Sequence, residues 1–393
     1  MTHGREIRAT LATLLASLIA CPPVQALVAL NDGHDRIFVN LSASVSQDSN
    51  VFANSDNSSD LVTTSSLSAE YTRRAGWIGV NAHASVVSSS FATFSNEDFV
   101  NPSLSMELTK QTGRTTGAFA VNAARESRAD AAVNVRSDSW NYGSSLSIKY
   151  PIVSTYTASA NFGWASREYL DNAAFFDLAT YNASFDLFHI LTTDREILAG
   201  YRYRLSETAR DTSTSDHSAT VGLSGRLIRG VTGSLRAGYQ TRIPEGGRST
   251  EAKYSSWTAS AASSYAFSRK LNFSGNLSKD FSTTANDSSV DVISAGVDAQ
   301  YAYSPRWTLT ASAGFSDSRY IGDSGRVPIS IGTTTVLGPN RHDNYANWGA
   351  SVAFSLNDHF KIAANYTWFE NWSTLPLADF VRTAWTLNVS SRW

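Results

Sequence analysis

The sequence predicts an all-β chain, folded as a transmembrane antiparallel β-barrel of about 18 strands (16–18) with short periplasmic turns and longer outer loops. Three observations predict this fold class. Apolar and polar residues alternate with a period of two beyond the N-terminal segment, and no helical period is found there. Short turn signals recur roughly every 36 to 41 residues, so each interval holds one pair of strands. Aromatic residues stand at two repeated levels along the strands.

The N-terminal segment has the three parts of a secretory signal peptide. Two arginines supply positive charge, an apolar run follows from about Leu11 to Ala20, and a group of small residues ends at Ala26. We therefore expect residues 1–26 to be a signal peptide that directs export through the inner membrane. Residues 27–393 are expected to form a single barrel domain in the cell outer membrane.

The only cysteine of the chain, Cys21, lies inside this N-terminal segment. The sequence from Leu18 to Cys21 also fits the pattern at which lipoproteins are cleaved and lipidated, so lipidation of Cys21 stays open as an alternative. No disulfide framework or cysteine metal site is available to the rest of the chain. We expect no cofactor and no metal.

The first predicted strand runs from about Asp35 to Gln47, and a polar stretch from Asp48 to Asp60 follows it. The same unit of strand, long loop, strand and short turn then recurs along the chain. Its last interval is longer because the segment Ser316 to Asp343 is enlarged, and this segment is expected to fold inward as a constriction or outward as a lid. The predicted short turns lie near Arg73–Gly76, Thr112–Arg114, Pro151–Ile152, Thr192–Asp194, Arg229–Gly230, Ser268–Lys270, Ser304–Arg306 and Asn357–His359.

Composition and aromatic spacing place this barrel in a membrane. Charged residues are 17% of the chain, and no apolar run beyond residue 30 reaches the roughly 20 residues that a membrane helix needs. A closed barrel is then the fold that can cross, because an open sheet would leave unpaired backbone groups in lipid. A large soluble β-solenoid or propeller with stacked core aromatics is the alternative. Aromatic residues eight positions apart, a projected distance of about 21 Å, favour the membrane in four strands: Trp257/Tyr265, Trp307/Phe315, Phe360/Trp368 and Trp385/Trp393.

The inward face carries charged residues whose distribution is uneven. Five arginines on three successive predicted strands make a basic wall: Arg202, Arg204, Arg226, Arg236 and Arg242. Three acidic residues lie far from this wall in strand order. Such a transverse field would orient polar or anionic solutes in a pore. The alternative is that the arginines neutralise nearby acids or bind lipopolysaccharide phosphates. The predicted selectivity residues are Arg202, Arg204, Arg226 and Arg236 with Glu70, Glu107 and Asp298.

The last predicted strand runs from Thr383 to Trp393 and places its aromatic and aliphatic residues on one face. A strand that ends on an aromatic residue resembles the C-terminal signal of bacterial outer-membrane barrel proteins. That resemblance implies recognition by the barrel assembly machinery. The residues expected to form the assembly signal are Trp385, Leu387, Val389 and Trp393.

The stretch from Asp48 to Asp60 reads D-S-N-V-F-A-N-S-D-N-S-S-D. It resembles the N-terminal hairpin of the putative β-barrel porin 2 family, with a D-x-N-hydrophobic-F segment followed by S-D. The likeness is strongest over about residues 35 to 110 and rests on barrel pattern beyond them. It implies an outer-membrane porin tied to exopolysaccharide export or to exosortase-type surface systems. The carboxylates of the stretch could bind calcium or sugar hydroxyls, and a solvated loop is the alternative.

These observations predict a porin-like channel that passes polar solutes or a polysaccharide chain, with surface-polysaccharide export as the associated process. Two alternatives remain: a non-conducting barrel that anchors a surface or secretion assembly, and a barrel hydrolase. The hydrolase has little support, since the histidines are scattered and only His83 opposite Glu70 suggests an acid–base pair. A net charge of -2 gives no basic footprint for nucleic acid. Expected partners are outer-membrane lipid, lipopolysaccharide and the assembly machinery, and the sequence does not fix an oligomeric state.

Overall fold

The computed structural model describes residues 28–30, 34–74, 76–130, 135–170, 175–247, 251–331 and 334–393. The residues predicted as a signal peptide, with Cys21, lie outside the described residues. The main body is a closed antiparallel barrel of 18 strands, which confirms the predicted fold class and strand number. A short strand, β1 (Val28–Leu30), precedes it and pairs with the first barrel strand.

The barrel strands follow one another in chain order around the wall. They are β2 (Asp35–Asp48), β3 (Asp60–Arg73), β4 (Gly79–Phe91), β5 (Phe99–Lys110), β6 (Thr116–Asp130), β7 (Val135–Val153), β8 (Tyr156–Tyr169), β9 (Leu178–Thr192), β10 (Arg195–Thr208), β11 (Thr212–Ile228), β12 (Val231–Gly246), β13 (Tyr254–Ala266), β14 (Leu271–Thr283), β15 (Ser289–Ala302), β16 (Trp307–Ile321), β19 (His342–Ser355), β20 (Phe360–Ser373) and β21 (Phe380–Arg392). Between β16 and β19 lie β17 (Arg326–Ile331) and β18 (Thr334–Asn340), which form a separate two-stranded sheet.

The first and last barrel strands close the wall. β2 pairs with β21 from Asn40↔Arg392 to Asp48↔Ala384. Beyond these pairs, the backbones of Val39 and Trp393 exchange two hydrogen bonds of 3.0 Å. A closed ladder leaves no open edge at this position, which is the condition for a sheet in lipid.

The two faces of the wall differ as the alternation predicts. Large apolar side chains stand exposed on the outer face; Val221 and Trp385 each keep 65% of their surface accessible. A soluble protein would bury such residues, whereas a membrane barrel presents them to lipid. The inner face carries mainly serine, threonine, asparagine and charged side chains.

Aromatic residues of the outer face contact one another across strands near both ends of the wall. Tyr366 lies between Trp348 and Trp385, with ring centroids 4.9 and 4.4 Å away. At the other end, Trp393 stacks on His359 at 4.3 Å and meets Phe360 edge-on at 5.7 Å. These contacts fix ring orientation at the two levels that the eight-residue spacing predicts.

The two ends of the barrel differ in the length of their connections. At the turn end, where β2 begins and β21 ends, strands are joined by short turns such as Arg229–Gly230. Gly230 there has a φ of 82°, a left-handed conformation that a residue without a Cβ adopts readily in a two-residue hairpin. At the loop end the connections are longer and include residues 49–59 and the enlarged segment Ser316 to Asp343.

The enlarged segment contains a 3-10 helix (Asp323–Gly325) besides β17 and β18. A second 3-10 helix (Ser95–Glu97) lies between β4 and β5. Among the described residues, no helix is long and apolar enough to cross a membrane. The role of the enlarged segment as a constriction or a lid stays a prediction.

Two ladders of the barrel stop short of the loop end. Between β5 and β6 the last pair is Ser103↔Ala124, and Pro102, which has no backbone N–H, comes directly after it. Between β13 and β14 the last pair is Ala259↔Lys279. Beyond that pair, residues 254–258 of β13 pair only with β12, and residues 280–283 of β14 pair only with β15. We call this second interruption the ladder break.

Candidate functional site

The inner face of the first barrel strands is lined by small hydroxyl side chains that bond to their cross-strand neighbours. Ser42 and Ser66 lie 2.7 Å apart, and Thr64 and Ser89 lie 2.8 Å apart. These bonds follow directly from the register, because each pair sits side by side on adjacent strands. The sector β2–β4 therefore presents an uncharged surface of paired hydroxyls along most of its length.

The sector β9–β14 carries charges instead. Four arginines on β10 and β12 meet three aspartates on β9, β11 and β14, and we call these seven residues the arginine cluster. Its ion pairs are Arg236–Asp186 at 2.7 Å, Arg202–Asp280 at 2.7 Å, Arg204–Asp216 at 2.6 Å, Arg204–Asp280 at 3.2 Å and Arg242–Asp216 at 2.7 Å. The three aspartates thus offset most of the positive charge of the four arginines.

The centre of the arginine cluster is Asp216 on β11. Its register partners are Arg204 on β10 and Arg242 on β12, so one cross-strand row places a carboxylate between two guanidinium groups. Asp216 and Arg242 are almost fully buried, with 1% and 2% of their side chains exposed. Both aspartate oxygens are engaged, because Arg242 donates to each of them. Buried charges of this kind are stable only while all partners remain.

The arginine cluster also bonds to the loop end of β14. Arg204 donates to the Phe281 carbonyl at 2.6 Å, and Arg242 donates to the Ser282 carbonyl at 2.7 Å. The guanidinium of Arg242 lies 5.2 Å from the centroid of the Phe281 ring. β14 is four strands away from β10 along the wall, so its upper end leans over the inner face of β10–β12. Both arginines donate to backbone carbonyls in the part of β14 that does not pair with β13.

Two arginines of the cluster remain partly open to the lumen. Arg202 and Arg236 keep 34% and 31% of their side chains exposed. Together with Asp186 and Asp280 they line a cavity of about 300 Å³, and the other polar groups of its wall are mostly serine and threonine hydroxyls. This lumenal cavity offers both hydrogen-bond donors and acceptors to a polar solute.

The structure separates the other predicted selectivity residues from this cluster. Arg226 lies at the turn end and pairs with Asp194. The Thr192 hydroxyl and the Arg226 guanidinium hold the pKa of the Asp194 carboxyl below its usual value. Glu70 bonds to Arg392 at 3.1 Å.

The two remaining acids, Glu107 and Asp298, have exposed side chains on the inner face. Neither has an ion-pair partner among the described residues. The proposed transverse field therefore rests on them and on the cluster's small excess of positive charge, and it stays a prediction.

The loop of residues 49–59 is partly buried, so it is not the solvated loop that the alternative interpretation expected. Asn50, Val51 and Ala53 are buried, with 0%, 1% and 3% exposed. Arg136 on β7 donates to the Val51 carbonyl, and Ala53 faces Ala129 of β6 across a cavity of about 320 Å³. Because β6 and β7 lie four and five strands from β2 along the wall, the loop and the ends of these two strands meet over the lumen at the loop end.

Side chains at both ends of this loop hold it in place. Asp48 pairs with Arg382 of β21 at 2.6 Å. The Asp60 carboxylate accepts the backbone N–H groups of Leu61, Thr93 and Phe94 at 2.8 to 3.0 Å. The Asn50 amide donates to the carbonyls of Asn54 and Val381 and to the Asn57 side chain. Both buried carboxylates are thus occupied, and no cluster of metal-ligating side chains is found among the described residues.

The sequence contains a signal for this arrangement. Asp48, Asn50 and Asp60 are short polar residues that bond to nearby backbone groups and favour a folded loop. Ala53 and Asn57 have left-handed backbone conformations, with φ of 52° and 53°, typical of a tightly turned segment. Neither observation predicts which distant strands the loop contacts.

Residues 200–393 match the family model described as putative beta-barrel porin 2. The C-terminal half of the chain belongs to this family. The predicted family is therefore confirmed, although the match lies outside residues 35–110, where the sequence resemblance was strongest. The match and the closed barrel together support a porin-like outer-membrane β-barrel. No protein of curated function matches its sequence.

Solved structures that are similar to this porin-like chain include several outer-membrane proteins. Pseudomonas aeruginosa OpdK with vanillate has 10% identity and a TM-score of 0.48, covering 91% of this chain and 99% of OpdK. Acinetobacter baumannii OccAB3 has 9% identity and a TM-score of 0.44, covering 91% and 99%. The siderophore receptor PirA from Pseudomonas aeruginosa has 9% identity and a TM-score of 0.43, covering 90% and 80%. Likeness at this level says nothing about what this barrel carries.

Proposed function

We propose that the barrel is a passive outer-membrane pore for small polar solutes, narrowed at the loop end by residues 49–59 and by the arginine cluster. The observation that carries this proposal is the inner face of the described strands, where paired hydroxyls and paired charges line the wall. A barrel of this width with a polar interior is expected to hold water. Its short turns are expected at the periplasmic side and its long loops outside.

Within this pore, Arg202 and Arg236 are the groups that meet the solute. Both are partly exposed to the lumenal cavity, whereas Arg204 and Arg242 are committed to Asp216 and to the β14 backbone. We therefore assign selectivity to the first two and a structural role to the other two. Arg226, at the turn end and paired with Asp194, is expected to contribute little.

The test is planar-bilayer recording of the purified protein. We expect channel steps from the wild type and a shift of the reversal potential towards cation selectivity in the double variant Arg202→Gln/Arg236→Gln, because two positive charges leave the lumen. Arg226→Gln is the matched control and should leave selectivity unchanged. Absence of channel steps in the wild type would reject the pore, and equal selectivity in the double variant would reject the assignment of these two arginines.

A polysaccharide chain is a second candidate cargo, and export of a surface polysaccharide is the associated process. The hydroxyl-lined sector β2–β4 favours it, because sugar hydroxyls can replace the Ser–Ser and Thr–Ser bonds one for one. Conductance block by maltose, maltotriose and longer maltodextrins tests it: block that strengthens with chain length supports a polysaccharide, and equal block at all lengths supports small solutes only.

A non-conducting barrel that anchors a surface assembly remains the competing proposal. The loop across the lumen is compatible with it. It predicts no channel steps and loss of partner binding when the long loops are shortened. A barrel hydrolase has less support, since Glu70, the carboxylate opposite His83, is engaged by Arg392.

A further inference from the structure

Three neighbouring short turns at the turn end carry a concentration of positive charge. They join β11 to β12, β13 to β14 and β15 to β16, and these six strands follow one another along the wall. The three turns contain no acidic residue, and their basic side chains are all exposed. We call the four basic residues of these turns the basic rim: Arg229, Arg269, Lys270 and Arg306.

Two of these turns share one construction. In the β13–β14 turn the Ser268 hydroxyl accepts the backbone N–H of Lys270 at 3.2 Å. In the β15–β16 turn the Ser304 hydroxyl accepts the backbone N–H of Arg306 at 3.3 Å. The Lys270 ammonium also donates to the Tyr303 carbonyl at 3.1 Å, so the two turns contact each other. The basic side chains of both turns therefore extend from a backbone that is held in place.

An exposed aromatic ring precedes the serine in each of these two turns. Phe267 and Tyr303 keep 63% and 60% of their surface accessible. The Phe267 ring contacts Tyr265, with centroids 6.1 Å apart, and the Tyr303 ring contacts Tyr301, with centroids 6.3 Å apart. Tyr265 and Tyr301 belong to the outer face, so the two rings of the turns extend this face beyond the strands. Aromatic residues at this level lie at a membrane interface, next to lipid headgroups.

The positive charge of the basic rim is not neutralised by side chains of the barrel. Arg229, Arg269 and Arg306 have no ion-pair partner among the described residues. Lys270 has three N–H donors, and its bond to the Tyr303 carbonyl uses one of them. The basic rim can therefore offer several donors and positive charges to an anionic ligand.

The next turn along the wall, between β19 and β20, has a similar construction without the charge. Asn357 takes the place of the serine, and its side chain accepts two backbone N–H groups. Asp358 and His359 stand where the β13–β14 turn has Arg269 and Lys270. A capped turn at this end of the barrel thus does not require cations, and their concentration is a property of the basic rim.

The inner face next to the basic rim does not continue its positive charge. One cross-strand row there consists of Asn272, Gln300 and Thr310, which are uncharged. The neighbouring inward residue Asp298 is an exposed acid. An anionic polymer that entered the lumen here would leave the cations and meet a carboxylate. The charge therefore favours an anionic ligand on the membrane side of the wall.

We propose that the basic rim binds an anionic phospholipid at the membrane surface. Its phosphate lies between the cations of the β13–β14 and β15–β16 turns, and its acyl chains lie beside Phe267 and Tyr303. Turns two strands apart are separated by about 10 Å, so the guanidinium groups of Arg269 and Arg306 can reach one phosphate. Clustered basic residues at a membrane surface attract anionic lipids. The site does not depend on the pore proposal, because binding there requires no flow through the lumen.

Native mass spectrometry of the full barrel in tetraethylene glycol monooctyl ether micelles tests this site. Dioleoylphosphatidylglycerol is the probe, and dioleoylphosphatidylcholine, which has the same acyl chains and no net charge, is the comparison. We expect the phosphatidylglycerol adduct to form at a lipid concentration about tenfold lower than the phosphatidylcholine adduct. Equal binding of the two lipids would overturn the proposal.

Removing the cations is the second arm of the test. Arg269→Gln/Lys270→Gln/Arg306→Gln should abolish the preference for phosphatidylglycerol. Arg269→Gln/Arg306→Gln keeps the bond from Lys270 to the Tyr303 carbonyl, so it serves as a second variant if the first does not assemble, and it should also lower the preference. An unchanged preference in the assembled variants would show that the phosphate does not bind at the basic rim.

The matched control removes three cations at the loop end. Arg210→Gln/Lys253→Gln/Arg326→Gln changes the net charge by the same amount, and all three side chains are exposed. This variant should prefer phosphatidylglycerol as the wild type does. An equal loss of preference in this control would mean that the net charge of the barrel, and not the basic rim, selects the lipid.

A soluble anionic oligosaccharide, oligogalacturonate, tests the other kind of partner. We expect no saturable oligogalacturonate adduct over the concentrations at which phosphatidylglycerol binds. Saturable binding that disappears in the variants of the basic rim, together with equal binding of the two lipids, would replace the phospholipid by an anionic polysaccharide and overturn the proposal.

Discussion

The sectors β2–β4 and β9–β14 line the same lumen in different ways. In β2–β4 the ladder between β2 and β3 runs the full length of both strands, and inward hydroxyls bond to their nearest neighbours. In β9–β14 the ladder between β13 and β14 is interrupted, and inward charges reach partners three or four strands away. The first sector is held by its backbone, and the second depends on its side chains.

The difference has a physical reason. A complete ladder satisfies every backbone group, so the side chains on it are free to vary. An interrupted ladder leaves carbonyl and amide groups that need other partners in a membrane. Arg204 supplies a donor for one of these carbonyls, that of Phe281, and Arg242 donates to the neighbouring Ser282 carbonyl. Asp216 keeps both arginines in place. The charges of the second sector are therefore part of the wall itself.

The largest expected effect comes from removing the centre of the arginine cluster. Asp216→Ala leaves the buried Arg242 and the half-buried Arg204 without a shared carboxylate, and breaking a buried ion pair costs about 3–5 kcal/mol. We expect a loss of that size in the free energy of unfolding. Urea titration of the barrel in detergent, followed by tryptophan fluorescence, measures it.

Asp298→Asn is the matched control for this prediction. Asp298 is also an inward aspartate, on β15 next to the charged sector, but it is exposed and has no ion pair among the described residues. Its replacement should change the free energy of unfolding by no more than about 0.5 kcal/mol. Similar losses for the two variants would mean that the charged sector does not depend on its cluster.

The closing pair of strands, β2 and β21, provides the next test. There the last backbone hydrogen bonds join Val39 to the terminal Trp393, whose ring also packs on neighbouring side chains. Trp393→Ala removes the contacts to His359 and Phe360, at about 0.5–1.5 kcal/mol for each ring pair. We expect a smaller heat-modifiable fraction of barrel in the outer membrane, with export across the inner membrane intact. Tyr239→Ala, an exposed outer-face residue, is the control. Normal assembly of the Trp393 variant would contradict the predicted assembly signal.

Much of the fold could be predicted from the sequence, because a period of two and regular turn signals are local properties. The turns at Arg229–Gly230 and Ser304–Arg306 fall where their residues predicted, and the strand number followed from them. The inward positions of Arg202, Arg204 and Arg236 also followed from alternation. The Pro151–Ile152 turn was placed three residues too early, since β7 continues to Val153 and β8 begins at Tyr156.

The site was harder to predict because it depends on contacts between distant strands. Whether Asp216 faces Arg204 and Arg242 is decided by the register, which a one-residue shift would change. The burial of Asn50 depends on β21, more than 300 positions away. The ladder break has no local signal, since the sequences of β13 and β14 are typical of ordinary strands. Contacts between residues far apart in the chain produce no repeating pattern in a single sequence, so they cannot be read from it.

Above the hydroxyl-lined sector, the side chains of the loop of residues 49–59 are expected to limit the width of the lumen, and a variant in this loop tests that expectation. Asn50→Ala removes the three hydrogen bonds that this fully buried amide donates and the one that it accepts from the Asn54 N–H, at about 1–3 kcal/mol. The loop should then move more freely, and single-channel conductance should rise or become noisier. Asp56→Ala, at the exposed tip of the same loop, should conduct as the wild type does. Identical conductance in both variants would show that the loop does not narrow the pore.

The smallest expected effect lies at the turn end of the charged sector, where Asp194 is exposed and solvent weakens its pairing. Its pKa is lowered in the folded state by the Thr192 hydroxyl and the Arg226 guanidinium. A lowered folded pKa contributes stability above the unfolded pKa of about 3.9, and that contribution is lost as the pH falls through the folded value. The wild type should therefore unfold at slightly higher urea than Asp194→Asn at pH 7, and the two should converge below about pH 3. A difference that persists at low pH would mean that Asp194 stabilises the turn through hydrogen bonds that do not require its charge. The turn end would then be stabilised as the hydroxyl-lined sector is, by uncharged hydrogen bonds, and not by ion pairs as in the arginine cluster.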